Sequence, residues 1–371
     1  MGNGNPVPPG FLGNLSTCQE EALAGFQKAL MELHFPASGL GKQHLRIWGV
    51  RLDNLDSRKA TKSQKVVLLK FLRSRDFAID GAAAKLMRTL QWRKSFNVDQ
   101  LGQEKFSKEL ETLSYNHGRD REGRPVQYNI YSKLDPSTLL GDEKSVEKFI
   151  RWRVKFMEET ISNMLDFEAG VEDIVHVHDY SGVKLLRMDK EFQSATRRII
   201  RVFGDYYPEM LSVKFFINVP RVVEVLFNFF SMFLHPKTVS KFRLCGQTGI
   251  RGALLEKIAP EELPGSYGGF ISSKDGWGGV QSFSVGARRK INLTFNMDAS
   301  QELRWEFVTE FLDVRFTVGP ESGGKRVCNR RECGGEKYKA AGNGNVVLTI
   351  DNSYSLLTDK VVWIRTGLFD C

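Results

Sequence analysis

The chain has 371 residues, of which 41% are apolar and 26% charged, with 26 Phe; this is too much hydrophobic material for a disordered chain and too much length for one ordinary domain. Its formal net charge is +9, so the polyanions to weigh as partners are nucleic acid and the anionic face of a membrane. The longest strongly apolar stretch, Val222 to Leu234, has 13 residues and includes Glu224 and Asn228, short of the roughly 20 that a spanning helix needs.

In chain order, the Gly-, Asn- and Pro-rich leader (1–15) shows no basic region followed by an apolar run, and Pro6 stands where an N-myristoylation pattern wants Ser or Thr. With five unevenly spread Cys, this reads as a cytoplasmic protein in a reducing compartment. Ala22, Leu23, Phe26, Ala29, Leu30 and Leu33 recur at helical spacing, as do Val67, Leu68, Phe71 and Leu72, and then Ala84, Met87, Leu90 and Trp92. Residues 16–110 are therefore expected to form a helical subdomain. Within it, 42–75 holds ten Lys or Arg against only Asp53 and Asp56, either a solvated helical face or a patch for anionic membranes.

The texture changes at Gly118 to Pro125, whose Gly and charged residues suit a turn, and a strand is expected from Pro125 to Tyr131. A helix Glu143 to Met164, a strand Ile174 to Tyr180, a helix Asp189 to Val202, a strand Lys214 to Val219 and a helical Val222 to Leu234 follow. This alternation predicts crossover units and a mainly parallel sheet with covering helices over 111–272. After a Gly-rich linker, 273–280, helical periodicity stops. Leu303, Trp305 and Phe307 alternate with polar residues, as do Val314, Phe316 and Val318, so 281–371 is expected to be an all-β antiparallel sandwich.

The usual sequence marks of an NTPase, a zincin, a serine hydrolase and a zinc finger are missing together, so the chain is expected not to be an enzyme. Cys328 and Cys333 lack the second pair a zinc site needs, and His176 and His178, two apart on one strand, lack a third ligand. No metal or cofactor is expected. No recognition motif accompanies the positive charge, which argues against nucleic acid.

The informative segment is Tyr206-Tyr207-Pro208-Glu209-Met210, then Phe215-Phe216-Ile217-Asn218-Val219-Pro220, then the Phe-rich helix, then Lys237-Thr238-Val239-Ser240-Lys241. With Leu68 to Arg75, Trp92-Arg93-Lys94, Gly123-Arg124-Pro125 and Pro260 to Gly269, these residues resemble the CRAL-TRIO lipid-exchange domain. Leu303 to Phe307 and Leu348 to Asn352 resemble a GOLD domain, and the pairing is similar to plant patellins and the animal supernatant protein factor group. The resemblance implies an α/β lipid-binding domain with an apolar pocket closed by a mobile helix, followed by a GOLD-like sandwich.

It further implies phosphatidylinositol or phosphoinositide binding and transfer at cytoplasmic membrane surfaces, with Arg75, Glu209, Thr238 and Lys241 in the positions of the family's headgroup residues. A tocopherol-like or isoprenoid cargo, and a trafficking adaptor acting on a protein partner through the GOLD domain, are the alternatives. The gate candidates are Val222, Val223, Leu226, Phe227, Phe229, Phe230, Met232, Phe233 and Leu234: ten of the thirteen residues from 222 to 234 are apolar, so the helix is either buried core or meets lipid. Strand periodicity puts Ile174, His176 and His178 on one face, expected to be the pocket wall. In relatives that also carry phosphatidylcholine, hydroxyl residues stand at the positions of Ile174 and His176, and tyrosines at those of Gln127 and Val154. The resemblance therefore implies poor binding of the choline lipid.

Overall fold

The computed structural model describes residues 7–32, 40–56, 59–133, 139–183, 190–219, 239–246, 249–270, 276–310, 312–328 and 330–370. These fall into two compact units, 1–116 with 123–244, and 117–122 with 245–371. The segment 245–270 falls in the second of these units.

The first unit opens with three helices, α1 (Thr17–Glu32), α2 (Lys62–Arg73) and α3 (Ile79–Phe96), and a two-stranded ribbon, β1 (Arg46–Ile47) with β2 (Val50–Arg51). Helix α2 starts sharply because Thr61 accepts from the Gln64 amide while the Gln64 side chain returns to the Thr61 amide, a reciprocal cap that satisfies two otherwise unpaired donors. Its apolar stripe, Val67, Leu68, Phe71 and Leu72, is wholly buried in a core shared with Phe26, Leu30, Leu86 and Leu90, and Trp48 stacks on Phe71 at 5.9 Å. A short helix α4 (Lys108–Glu111) leads into the sheet.

That sheet has five strands in the order β3 (Ser114–Arg119), β4 (Pro125–Ile130), β5 (Ile174–Asp179), β6 (Leu211–Ile217) and β7 (Phe242–Leu244). From β4 to β7 every pairing is parallel. Helix α5 (Glu143–Met164) joins β4 to β5 and helix α6 (Lys190–Tyr206) joins β5 to β6, the crossovers that parallel neighbours require. The β5–β6 pairing is irregular: Ile174 faces Leu211, but His176 faces Lys214, so β6 carries one extra residue across 212–213. Such a bulge rotates everything beyond it to the opposite face.

In the second unit, a short helix α7 (Ile250–Leu255) precedes two four-stranded sheets. One is ordered β13 (Cys333–Lys339), β10 (Gln301–Thr309), β15 (Lys360–Asp370), β8 (Gln281–Val285); the other β12 (Arg326–Val327), β11 (Arg315–Pro320), β14 (Gly344–Asp351), β9 (Lys290–Met297). Their pairings are antiparallel. Alternation along β10 and β11 sends Leu303, Trp305, Phe307, Phe316 and Val318 inward, where Phe307 and Phe316 lie 4.5 Å apart. Cys328 is a buried free thiol of this core, and Cys333 is also free.

Candidate functional site

Two polar clusters are built on the parallel sheet. The first gathers at the start of β5. Glu172 accepts from Arg73 at 2.6 Å and pairs with Lys70 at 3.5 Å, while Arg124 pairs with Asp173 at 2.6 Å. The Lys70 side chain is 0% exposed and also donates to the Glu209 carbonyl at 2.7 Å. Burial is the main influence on Lys70 and pushes it down to about 8, against the opposing pull of Glu172; burial likewise raises Asp173. Thus two of the ten basic residues of 42–75, Lys70 and Arg73, point inward to carboxylates and do not belong to a surface patch.

The motif around Glu209 is locked onto this cluster. Tyr206 stacks on Trp92 at 4.2 Å, and the Tyr207 hydroxyl donates to Glu158, which also accepts from Arg93. Glu209 adopts a left-handed backbone, φ 54°, which is uncommon for a residue with a side chain. Its carboxylate lies 3.4 Å from Lys241 Nζ, which also donates to the Leu211 carbonyl at 2.7 Å. Of the four headgroup candidates, Glu209 and Lys241 are therefore together. Arg75 is exposed just beyond α2 and acts electrostatically on Lys85, as Glu209 does with the opposite sign; burial chiefly holds Lys85 down at about 8. Thr238 lies outside the described residues, as do all the gate candidates from Val222 to Leu234.

The second cluster is on the sheet face that carries Gln127 and Asn129 of β4, His176 and His178 of β5, Lys214 and Phe216 of β6, and Phe242 of β7, directly paired across the strands. His176 and His178 are 7% and 4% exposed. Burial first, then Lys214, pushes both well below the usual histidine value, so they are neutral. His178 Nδ1 is hydrogen-bonded to the Tyr131 hydroxyl at 3.1 Å, and Tyr131, Tyr180, Phe216 and Phe242 form a continuous aromatic strip with ring centroids 4.8 to 6.2 Å apart. Those four rings are half-buried. Ile174, the third wall candidate, is fully buried in the helical core.

Where the sequence reading looked for two tyrosines, Gln127 donates to Thr160 at 3.1 Å and Val154 is core. Two functional candidates escaped it. Arg153, on α5, is 6% exposed and donates to Ser114 Oγ at 3.0 Å and to Asn129 Oδ1. Lys214 extends over the Phe216 and Phe242 rings, 5.1 and 5.8 Å from their centroids, and burial beside Arg153 brings it down to about 7. Both were legible: Arg153 follows Phe149 by four residues on the apolar side of its helix, and Lys214 sits inside a strand. Among the described residues no three potential ligands gather for a metal, and no helix is long and apolar enough to cross a membrane.

Residues 111–269 match the CRAL/TRIO domain family. Patellin-6 of Arabidopsis thaliana is 33% identical over 304 residues, 79% of this chain and 72% of its own, and Patellin-4 of the same plant is 38% identical over 231 residues, 62% of this chain and 42% of its own. The phosphatidylinositol transfer protein SFH5 of Cryptococcus neoformans is 35% identical over 248 residues, 61% of this chain and 80% of its own. The crystal structure of Sfh5 superposes with a TM-score of 0.56 at 25% identity, covering 64% of this chain and 83% of that one. With Patellin-6 matched over most of its length and an α/β lipid-exchange fold followed by an all-β sandwich, the chain belongs to the patellin family of CRAL-TRIO proteins with a C-terminal GOLD domain.

Proposed function

We propose that the protein is a non-catalytic phospholipid carrier that binds phosphatidylinositol or a phosphoinositide and exchanges or presents it at cytoplasmic membrane surfaces. The observation that carries this reading is the half-buried aromatic strip Tyr131, Tyr180, Phe216 and Phe242 on a sheet whose edge bears the Glu209–Lys241 pair. Releasing a two-chain phospholipid into water exposes roughly thirty methylenes at about 0.8 kcal/mol each, so a carrier must offer an enclosed apolar wall in place of the bilayer. Lys241 suits a phosphate oxygen and Glu209 suits inositol hydroxyls, because a carboxylate accepts from hydroxyls but repels phosphate. Arg75 and Thr238 complete the headgroup set.

In the same reading Val222 to Leu234 is the gate and membrane-contacting helix, with Pro220 and Pro236 as limits of its movement. The outward-facing basic residues of 42–75 orient the protein on anionic lipid, each worth about 1 kcal/mol near the surface. Attachment to membranes is then peripheral and reversible, and the GOLD domain is left free for a protein partner. Transfer of phosphatidylinositol between vesicles tests the proposal. Lys241→Ala and Glu209→Lys should each slow it about tenfold, the loss of one charge-assisted bond; wild-type rates in both would remove the site.

A further inference from the structure

Lys214 is a lysine on an apolar wall with no acid beside it among the described residues. Among the described residues its ammonium meets two aromatic rings and neither a carboxylate nor a hydrogen-bond acceptor. Arg153, buried beside it, meets the neutral oxygens of Ser114 and Asn129 and the rings of Trp152 and Phe203, and no carboxylate among the described residues. The histidines between them are uncharged. Three further polar atoms on this face, His178 Nε2, Gln127 Oε1 and Asn129 Nδ2, have no hydrogen-bond partner among the described residues. Native interiors pair nearly all such groups, and a buried charge left alone is strongly unfavourable. Two cations, no acid among the described residues and unsatisfied neighbours together describe half of a binding site whose other half is negative.

We infer that Lys214 and Arg153, with His176 and His178, receive the anionic end of a hydrophobic cargo, a carboxylate or phosphate attached to an acyl chain, while the aromatic strip holds the chain. This rests on the carrier reading above and names the cargo class for the inner wall. The Glu209–Lys241 corner is different in kind: it already contains its own carboxylate, so it accepts a polyol better than a bare anion. A zwitterionic choline lipid is the wrong match for the inner wall, since its quaternary ammonium brings a third positive charge to Lys214 and Arg153.

The test loads the full chain from vesicles of matched acyl composition containing phosphatidic acid, palmitate, phosphatidylinositol or phosphatidylcholine, and identifies the retained lipid by mass spectrometry. Phosphatidic acid and palmitate should each be retained about tenfold over phosphatidylcholine, and Lys214→Met, which keeps the stem and removes the charge, should abolish that preference while Lys214→Arg keeps it; phosphatidylinositol, held at the Glu209–Lys241 corner, is the control that Lys214→Met leaves in place. Equal retention of phosphatidylcholine, phosphatidic acid and palmitate by the wild type would overturn the inference on its own, whatever the variants do. Retention of no lipid from any vesicle would overturn the carrier reading itself. Millimolar inorganic phosphate should not displace the bound lipid; if it does, the wall is a site for a free anion and the lipid assignment fails. Because Lys214→Met removes an unpaired charge, its melting temperature should not fall, and a folded variant that keeps the anionic preference also overturns the assignment.

Discussion

The cluster at the start of β5 and the inner wall of the same sheet contain the same kinds of side chain and differ in bookkeeping of charge. Around Glu172, the cations Lys70, Arg73 and Arg124 meet Glu172 and Asp173, with Lys241 and Glu209 alongside. On the wall, Lys214 and Arg153 meet neutral oxygens and rings. A matched buried cluster holds strands and helices in register, whereas an unmatched one is tolerable where something else supplies the missing charge.

The sharpest way to break this contrast is to unmatch the first cluster. Glu172→Ala leaves Lys70 and Arg73 buried without their shared carboxylate and should destabilise the protein by about 3–5 kcal/mol, measured by urea denaturation. A loss under about 1 kcal/mol, the range of surface ion pairs, would mean that the two clusters are alike after all.

A smaller and more specific effect comes from pH. Lys214 is held down at about 7 from its ordinary 10.5, so between these values the unfolded chain binds more protons and the empty protein gains stability as pH rises. Lys70 and Lys85, each held at about 8, act in the same direction but only from about 8 upward. Binding of an anion has the opposite pH dependence, because it favours the ammonium of Lys214 and so is weakened when that group loses its proton. The groups facing Lys214 do not confuse the reading: Arg153 on α5 stays charged although burial lowers it, His176 and His178 on β5 stay neutral, Tyr131 and Tyr180 are raised by burial, and β7 contributes the Phe242 ring. Retention of anionic lipid should therefore weaken as pH rises through about 7, and this loss should be absent in Lys214→Arg. A flat profile from pH 6 to 8 in the wild type would remove Lys214 from the site.

The smallest effect is expected at Arg75. It is exposed, and its replacement by Ala should change stability by less than about 0.5 kcal/mol, while slowing phosphatidylinositol transfer if it reaches the headgroup. Normal transfer in Arg75→Ala alongside slowed transfer in Lys241→Ala would shrink that subsite to the Glu209–Lys241 corner.

Much of this architecture was legible in the residues. Phe26 and Leu30, the Val67 to Leu72 stripe, and the alternation of Leu303, Trp305 and Phe307 each state a period and hence an element. Strand β3, Ser-Tyr-Asn-His-Gly-Arg, carries no apolar alternation and could not be read; its place follows from β4 beside it. Glu209 and Lys241 were named as headgroup residues from resemblance, the structure brings them together, and the ties of Tyr206 to Trp92 and of Lys70 to the Glu209 carbonyl explain why those distant motifs occur together. The inner wall was half seen. Periodicity along β5 put His176 and His178 on one face, but no count along a single strand reveals which residues of the next strand stand opposite.

That last point turns on the extra residue in β6. In an unbroken ladder, Leu211 opposite Ile174 would bring Val213 opposite His176, and then Phe215 opposite His178; all of the polar character of β6 would be turned away. The bulge across 212–213 substitutes Lys214 and Phe216. The chemistry of the wall is thus set by phase and not by composition: the same residues paired without the bulge would present Val213 and Phe215 there in place of Lys214 and Phe216. In this fold a one-residue slip in the phase of a strand can remake a sheet face as thoroughly as a substitution does, and a comparison that aligns residues but ignores where β6 bulges would misread which of them share the wall.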